Sequence, residues 1–205
     1  IRVLCSDLFG EKPDNYALVP SVSYGMNTAA RAIESKLKKG DQILLIDEDF
    51  PSNVLAWRRV CKEAGSSIVT VSKDEKSDWT STIIDHINSN VKVVSISSCH
   101  WANGEYIDLE LVSKKCKENK CFFIIDATQS LGVNEHSLKK INPDFLIAAA
   151  YKWMLCPYGL AILYVSDRWF NSRPLEETWL ARDNAHNFSE LVNYSDNYMP
   201  GARKF

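Results

Sequence analysis

A three-layer α/β/α fold, with helices on both faces of a mostly parallel central sheet, is what this sequence predicts, on three observations. Apolar runs of strand length alternate along the chain with segments of helical period. The runs are apolar at successive positions rather than every second one, as in strands buried on both faces. The chain has 205 residues, 45% of them hydrophobic, enough for one domain with its own core.

The elements follow in order. Residues 16–20 (Tyr-Ala-Leu-Val-Pro) predict a short strand. A helix over 26–38 comes next, with Ala29, Ala30, Ile33 and Leu37 on one face and Gly40 as its stop. Residues 42–46 are an apolar strand, and 52–64 a helix with Val54, Leu55, Val60 and Cys61 inward and Gly65 ending it. A strand at 67–71, a helix at 81–89 on Ile83, Ile84 and Ile87, and a strand at 91–96 continue the alternation. Asp108 is the expected N-cap of a helix at 109–119. Strands at 121–125, 145–149 and 159–165 close the regular part. Residues 1–165 therefore read as one large domain. From 166 to 205 the chain is rich in Asn, Asp, Arg and Trp with weak periodicity, an irregular excursion toward a second, C-terminal domain.

Charge and cysteine usage exclude several classes. The formal net charge is −2, with neither a basic patch for nucleic acid nor a polybasic membrane anchor. Apolar runs stop at strand length, too short to span a bilayer. No secretory signal opens the chain, which begins at Ile1 and reads as a fragment. None of Cys5, Cys61, Cys99, Cys116, Cys121 and Cys156 forms a Cys-x-x-Cys, and no His stands at ligand spacing from a cysteine pair, so no metal site is expected. A reducing, cytoplasmic setting is the simplest reading.

Two segments carry the chemistry. Phe122-Phe-Ile-Ile-Asp126 is an apolar run ending in a carboxylate, and Ala148-Ala-Ala-Tyr151-Lys152 is one ending in an amine. Strand ends of an α/β sheet face the ligand crevice. A buried carboxylate beside a pyridinium nitrogen, with an amine in Schiff-base reach, is what pyridoxal phosphate needs. Each residue has a plainer reading. Lys152 alone is a solvated charge, although Tyr151, Trp153 and the following Met-Leu-Cys-Pro-Tyr make its surroundings apolar, and desolvation favours a neutral, nucleophilic amine. Asp126 alone is a helix N-cap, whereas with Gln129 it would hold a ring nitrogen protonated while the amide contacts a ring oxygen. The segment Ser21-Val-Ser23-Tyr24-Gly25, read as a turn before a helix, offers free backbone amides and the Ser23 hydroxyl to an anion, and such turns also occur empty. Phe50, fixed by Pro51 after the strand at 42–46, either stacks on a planar ligand or packs in the core.

Taken together and in order, Ser-Val-Ser-Tyr-Gly, Asp-Glu-Asp-Phe-Pro-Ser-Asn, Ser-Cys-His-Trp-Ala-Asn-Gly-Glu-Tyr-Ile-Asp, Ile-Ile-Asp-Ala-Thr-Gln-Ser-Leu-Gly and Tyr-Lys-Trp-Met-Leu-Cys-Pro-Tyr-Gly resemble the class V aminotransferase family. These are pyridoxal phosphate enzymes of fold type I, including cysteine desulfurases, kynureninases and isopenicillin N epimerase-like proteins. The resemblance covers nearly the whole chain. It implies that Lys152 is the Schiff-base lysine and general base, Asp126 the pyridine-nitrogen partner and Gln129 the ring-oxygen contact. It implies that Phe50 stacks on the ring, that Ser23 and Tyr24 lie in the phosphate loop, and that Tyr151 occupies a phosphate-binding position. An amino-acid substrate, transamination, epimerisation or elimination chemistry, and a homodimer are further implications.

There are departures. Ala149 stands where desulfurases have a phosphate-holding Ser, and none of the six cysteines falls at the desulfurase nucleophile, which lies in a loop beyond Phe205. The family's substrate-carboxylate Arg and its cross-dimer loop also fall beyond Phe205, and an N-terminal closing segment falls before Ile1. A non-catalytic binding or assembly module that keeps the fold is the alternative, against which the Lys152, Asp126 and Gln129 set argues. A nucleotide-binding doubly wound domain lacks its glycine fingerprint.

Overall fold

The computed structural model describes residues 1–205. Its strands are β1 (Tyr16–Val19), β2 (Gln42–Ile46), β3 (Ser67–Val71), β4 (Val91–Ser97), β5 (Phe122–Asp126), β6 (Phe145–Ala149) and β7 (Ala161–Val165). They form a single 7-stranded sheet in the order β1-β7-β6-β5-β4-β2-β3. The pairs from β3 through β6 are parallel, while β7 runs antiparallel to both β6 and β1. The C-terminal ends of β1, β2, β4, β5 and β6 therefore open on one edge of the sheet, which is where α/β folds bind ligands.

The helices are α1 (Arg2–Phe9), α2 (Val22–Glu34), α3 (Pro51–Ala64), α4 (Trp79–His86), α5 (Leu109–Asn119) and the single turn α6 (Leu138–Ile141). Successive strand residues face opposite layers. Ile43 and Leu45 pack with Ile33, Trp57 and Val60 of α2 and α3, whereas Leu44 and Ile46 pack with a cluster that includes Ile83, Val112 and Leu138 of α4, α5 and α6. Each such fully buried aliphatic side chain contributes about 1.5–3 kcal/mol. The three layers are those the sequence predicts, as is a mostly parallel sheet.

Several local expectations need correction. The helix expected over 26–38 runs Val22–Glu34. Ser21 is its N-cap, with the Ser21 hydroxyl accepting from Tyr24 N at 3.1 Å, so the supposed turn is a cap and a first helical turn. Gly25 is inside the helix because it packs on β6: a Cβ there would lie 2.9 Å from Ile147. At the other end, Lys36 N and Leu37 N bond three residues back, to Ile33 O at 2.8 Å and Glu34 O at 3.0 Å, and the Asp41 carboxylate then accepts from Lys38 N at 2.9 Å. In α3, Leu55 is exposed and Trp57 takes the inward position. Helix α4 starts two residues before its predicted start, since Asp78 caps it by accepting from Ser81 N at 2.9 Å. Helix α1 has no counterpart in the sequence reading, because Val3, Leu4 and Leu8 of its short segment are exposed and only Cys5 is buried.

After β7 the chain forms short 3-10 turns, and the last, Gly201–Lys204, returns to pack on β1 with Ala202 buried. No helix is long and apolar enough to cross a membrane.

Candidate active site

A cavity of about 320 Å³ opens at the edge where the parallel strands end. Ser23, Phe50, Asp126, Gln129, Tyr151 and Lys152 all line it. They come from four separate segments at strand ends and helix starts, and the backbone explains how each is placed.

Asp126 is the last residue of β5 and is 5% exposed. No helix follows it. Asp126 Oδ1 instead accepts from Thr128 N at 2.9 Å, capping a tight turn. That turn is tied to the neighbouring strand: Ala127 N donates to Ile147 O at 2.7 Å, and Ala149 N donates to Thr128 Oγ1 at 3.1 Å. The ends of β5 and β6 are thereby locked together, fixing Asp126 relative to Lys152 just beyond β6. Burial pushes the Asp126 carboxyl up from the usual range, against hydrogen bonds from Thr128, an interaction with Asn53 and the attraction of Lys152.

Lys152 sits half-buried in a turn closed by Cys156 N donating to Ala150 O at 3.0 Å. The turn is pressed against the loop after Asp126 at Gly132, whose φ is +101° and whose Cβ, if present, would lie 3.2 Å from the Trp153 backbone. Tyr151 stacks on Tyr158 with ring centroids 4.2 Å apart. Asp126 and Lys152 are the only ionisable acid and amine in the lining.

On the opposite wall, Phe50 is the N-cap of α3, with Pro51 at the first helical position. Its ring meets Trp101 edge-on at 5.7 Å, and Trp101 Nε1 donates to Glu48 O at 2.7 Å. Beside it the first turn of α2 presents amides that have no intrahelical partner, together with the positive end of the helix dipole. Ser23 and Ser52 both reach the cavity with their hydroxyls 2.8 Å apart. No arginine lines the cavity, so the donors this corner offers an anion there are amides, hydroxyls and the dipole.

Tyr24 is placed differently from the other expected residues. Its amide serves the cap, but its phenol donates to Glu176 at 3.5 Å, on a surface shared with Asn27 and Arg31 outside the cavity. The sequence reading passed over Ser52, Ser97, Trp101, Thr128 and Tyr158, which also line the cavity. Thr128, two residues past Asp126 at a strand end, had a usable signal, since Asx turns recruit that position. Ser97 had none, because its role depends on β4 lying between β2 and β5.

Residues 11–178 match the family described as Aminotransferase class-V. The chain belongs to the class V aminotransferase family. Among curated relatives, a probable cysteine desulfurase of Pyrococcus abyssi is 28% identical over 170 residues, covering 83% of this chain and 42% of the relative. The apo structure of a cysteine desulfurase from Thermococcus onnurineus NA1 superimposes with a TM-score of 0.84 at 24% identity, over 100% of this chain and 50% of that one. A C-DES mutant, K223A, with glycine covalently linked to its PLP cofactor, gives a TM-score of 0.84 at 16% identity, over 100% of this chain and 53% of that one. These superpositions identify the α/β fold as that of the family's large domain. The chain spans about half the length of the class V proteins it matches.

Proposed function

We propose that this chain is the cofactor-binding domain of a pyridoxal phosphate-dependent enzyme, cysteine desulfurase-like in descent, that acts on an amino acid. The observation that supports this best is the meeting of one amine, Lys152, and one buried carboxylate, Asp126, in a cavity walled by Phe50 and the first turn of α2. The donor set fits that cofactor: an amine for its aldehyde, a carboxylate for its ring nitrogen, an aromatic face for its ring and a helix N-terminus for its phosphate. When bound, pyridoxal phosphate supplies an electron sink for a bond broken at the substrate's α-carbon.

The chain's own residues take the remaining roles. Lys152 would anchor the cofactor through its amine and, once displaced by substrate, would take the proton from the α-carbon. Asp126 would keep a proton on the ring nitrogen, Gln129 would donate to the ring oxygen, and Phe50 would hold the ring plane. The α2 amides, Ser23 and Ser52 would take the phosphate, with Tyr151 beside them. Transamination, epimerisation and elimination all use this set. No cysteine lines the cavity, so a sulfur-accepting thiol would come from outside these residues. On the same reading, residues 1–165 are the large domain, 166–205 lead toward a small domain, and the protein works as a cytoplasmic homodimer.

The test is the absorbance of the full-length protein with added pyridoxal phosphate, before and after borohydride. The parent should bind the cofactor and become covalently fixed on reduction, and Lys152→Ala should lose the fixed adduct. A Lys152→Ala protein that still couples, while Lys120 or Lys140 variants do not, would place the attachment elsewhere.

A further inference from the structure

Beneath Asp126 lies a second buried acid that the roles above leave unused. Asp49 follows β2 and is 7% exposed, and Asn53, one turn into α3, is 0% exposed. Asp49 Oδ1 accepts from Phe50 N at 2.7 Å, Asn53 Nδ2 at 3.0 Å and Ser97 Oγ at 2.5 Å. Asn53 Nδ2 also reaches Ser97 Oγ at 3.2 Å. Ser97 pairs in register with Asp126 across β4 and β5. Ser97 and Asp126, at the ends of β4 and β5, line the cavity floor, and Asp49 from the loop after β2 and Asn53 from α3 extend that polar layer beneath it.

That layer is incompletely satisfied. Asp49 Oδ2 and Asn53 Oδ1 are buried without a hydrogen-bond partner. A buried acceptor left unpaired weakens a fold by about 1–3 kcal/mol, and two within one unit need a reason. Burial, opposed by Ser97 and reinforced by the nearby Asp126 charge, pushes the Asp49 carboxyl up to about 6. The charged groups facing this unit are Asp126 itself and, across it, Lys152. Two carboxyls in one buried layer disfavour each other's ionisation, and a cation beside them favours it.

We propose that Asp49 is a positioning residue whose buried charge, carried to Asp126 through Asn53 and Ser97, raises the proton affinity of a heteroaromatic nitrogen resting on Asp126. The inference rests on the cofactor reading above. Burial disfavours negative charge on this floor, and a protonated ring nitrogen beside it favours the ionised carboxylates. Asp126 alone would supply one charge to that proton, whereas the pair supplies a field from two. Asp49 touches neither ring nor substrate and acts only through its neighbours.

The experiment is ¹⁵N NMR of the full-length protein loaded with pyridoxal phosphate labelled at the pyridine nitrogen, followed over pH in the parent, Asp49→Asn and Asp49→Glu. Asparagine keeps an oxygen for the three donors and removes the charge. Its ring nitrogen should lose its proton about one pH unit lower than the parent's, a tenfold fall in proton affinity of the size expected from one charge across a partly shielded interior. Asp49→Glu should bring the midpoint back toward the parent. An unchanged midpoint in Asp49→Asn overturns the proposal while leaving the cofactor reading intact. A glutamate variant as low as the asparagine one also overturns it, because geometry rather than charge would then be responsible. If Asp49→Asn does not fold, Asp49→Ser removes the same charge with a smaller group, and failure of both to fold makes Asp49 a purely structural residue. A parent protein that takes up no cofactor overturns both readings together.

Discussion

Two buried carboxylates at opposite ends of neighbouring strands show how this molecule divides its work. Asp144 precedes β6, at the edge of the sheet away from the cavity, and is 0% exposed. Asp144 Oδ2 accepts from Phe123 N at 2.8 Å, while Oδ1 takes both Trp169 Nε1 and the Arg168 guanidinium. Asp126, at the cavity edge, takes one backbone amide from Thr128. Burial raises the proton affinity of both, so burial alone does not separate them. Donor count does. The Asp144 site is complete within the protein, whereas the Asp126 site is left open to the cavity. The same contrast holds for the Asp49–Asn53 unit, where Asp49 Oδ2 is buried without a partner while both Asp144 carboxylate oxygens are paired.

The largest expected effect falls on the open carboxylate. Asp126→Asn should keep the fold and some cofactor yet slow α-proton exchange of a bound amino acid by about three orders of magnitude, roughly 4 kcal/mol of barrier, because the ring nitrogen loses its counter-charge. Exchange of substrate deuterium with solvent, followed by NMR, measures it. A variant exchanging near the parent rate would erase the distinction between the two carboxylates.

A smaller effect belongs to the anion corner. Ser23→Ala removes one hydroxyl from a site held mainly by backbone amides, and should weaken cofactor binding by about 1–2 kcal/mol, as for one hydrogen bond to a charged group. Fluorescence titration with pyridoxal phosphate gives the dissociation constant. An unchanged value would move the phosphate away from α2 and leave the Ser23–Ser52 contact as packing only.

How much of this was legible in the chain itself follows from the physics of each part. The apolar runs ending at Asp126 and before Lys152 are visible because strands buried on both faces need apolar residues at every position. The start of α2 was misplaced because Gly25 reads as a turn residue, while its actual reason is the close approach to Ile147, a contact between segments far apart in sequence. The reversed direction of β7 has no local signal. Asp49 carries no local signal of burial within the acidic stretch Asp47-Glu-Asp49. It turns inward because Glu48 adopts a left-handed backbone with φ of 51° and is held there by the Trp101 indole. Similarly, Tyr24 and Ser23 are adjacent in sequence, yet a helix sends successive side chains about 100° apart, so only Ser23 faces the cavity.

The claim that the cavity-edge carboxylate serves a ligand and the Asp144 carboxylate serves the fold is tested most directly by unfolding Asp126→Asn and Asp144→Asn in urea at pH 7, without cofactor, beside the parent. Asn at 126 keeps an oxygen for Thr128 N and removes a buried charge. A carboxyl whose proton affinity is raised in the folded state weakens the fold as pH rises from its ordinary pKa toward the folded one, so with its single backbone donor kept this variant should match or exceed the parent's stability. Asn at 144 puts an N–H against Phe123 N or against Trp169 and Arg168, and should lose about 2–4 kcal/mol. A loss at Asp126→Asn as large as that at Asp144→Asn would contradict the account, since both carboxylates would then be holding the fold.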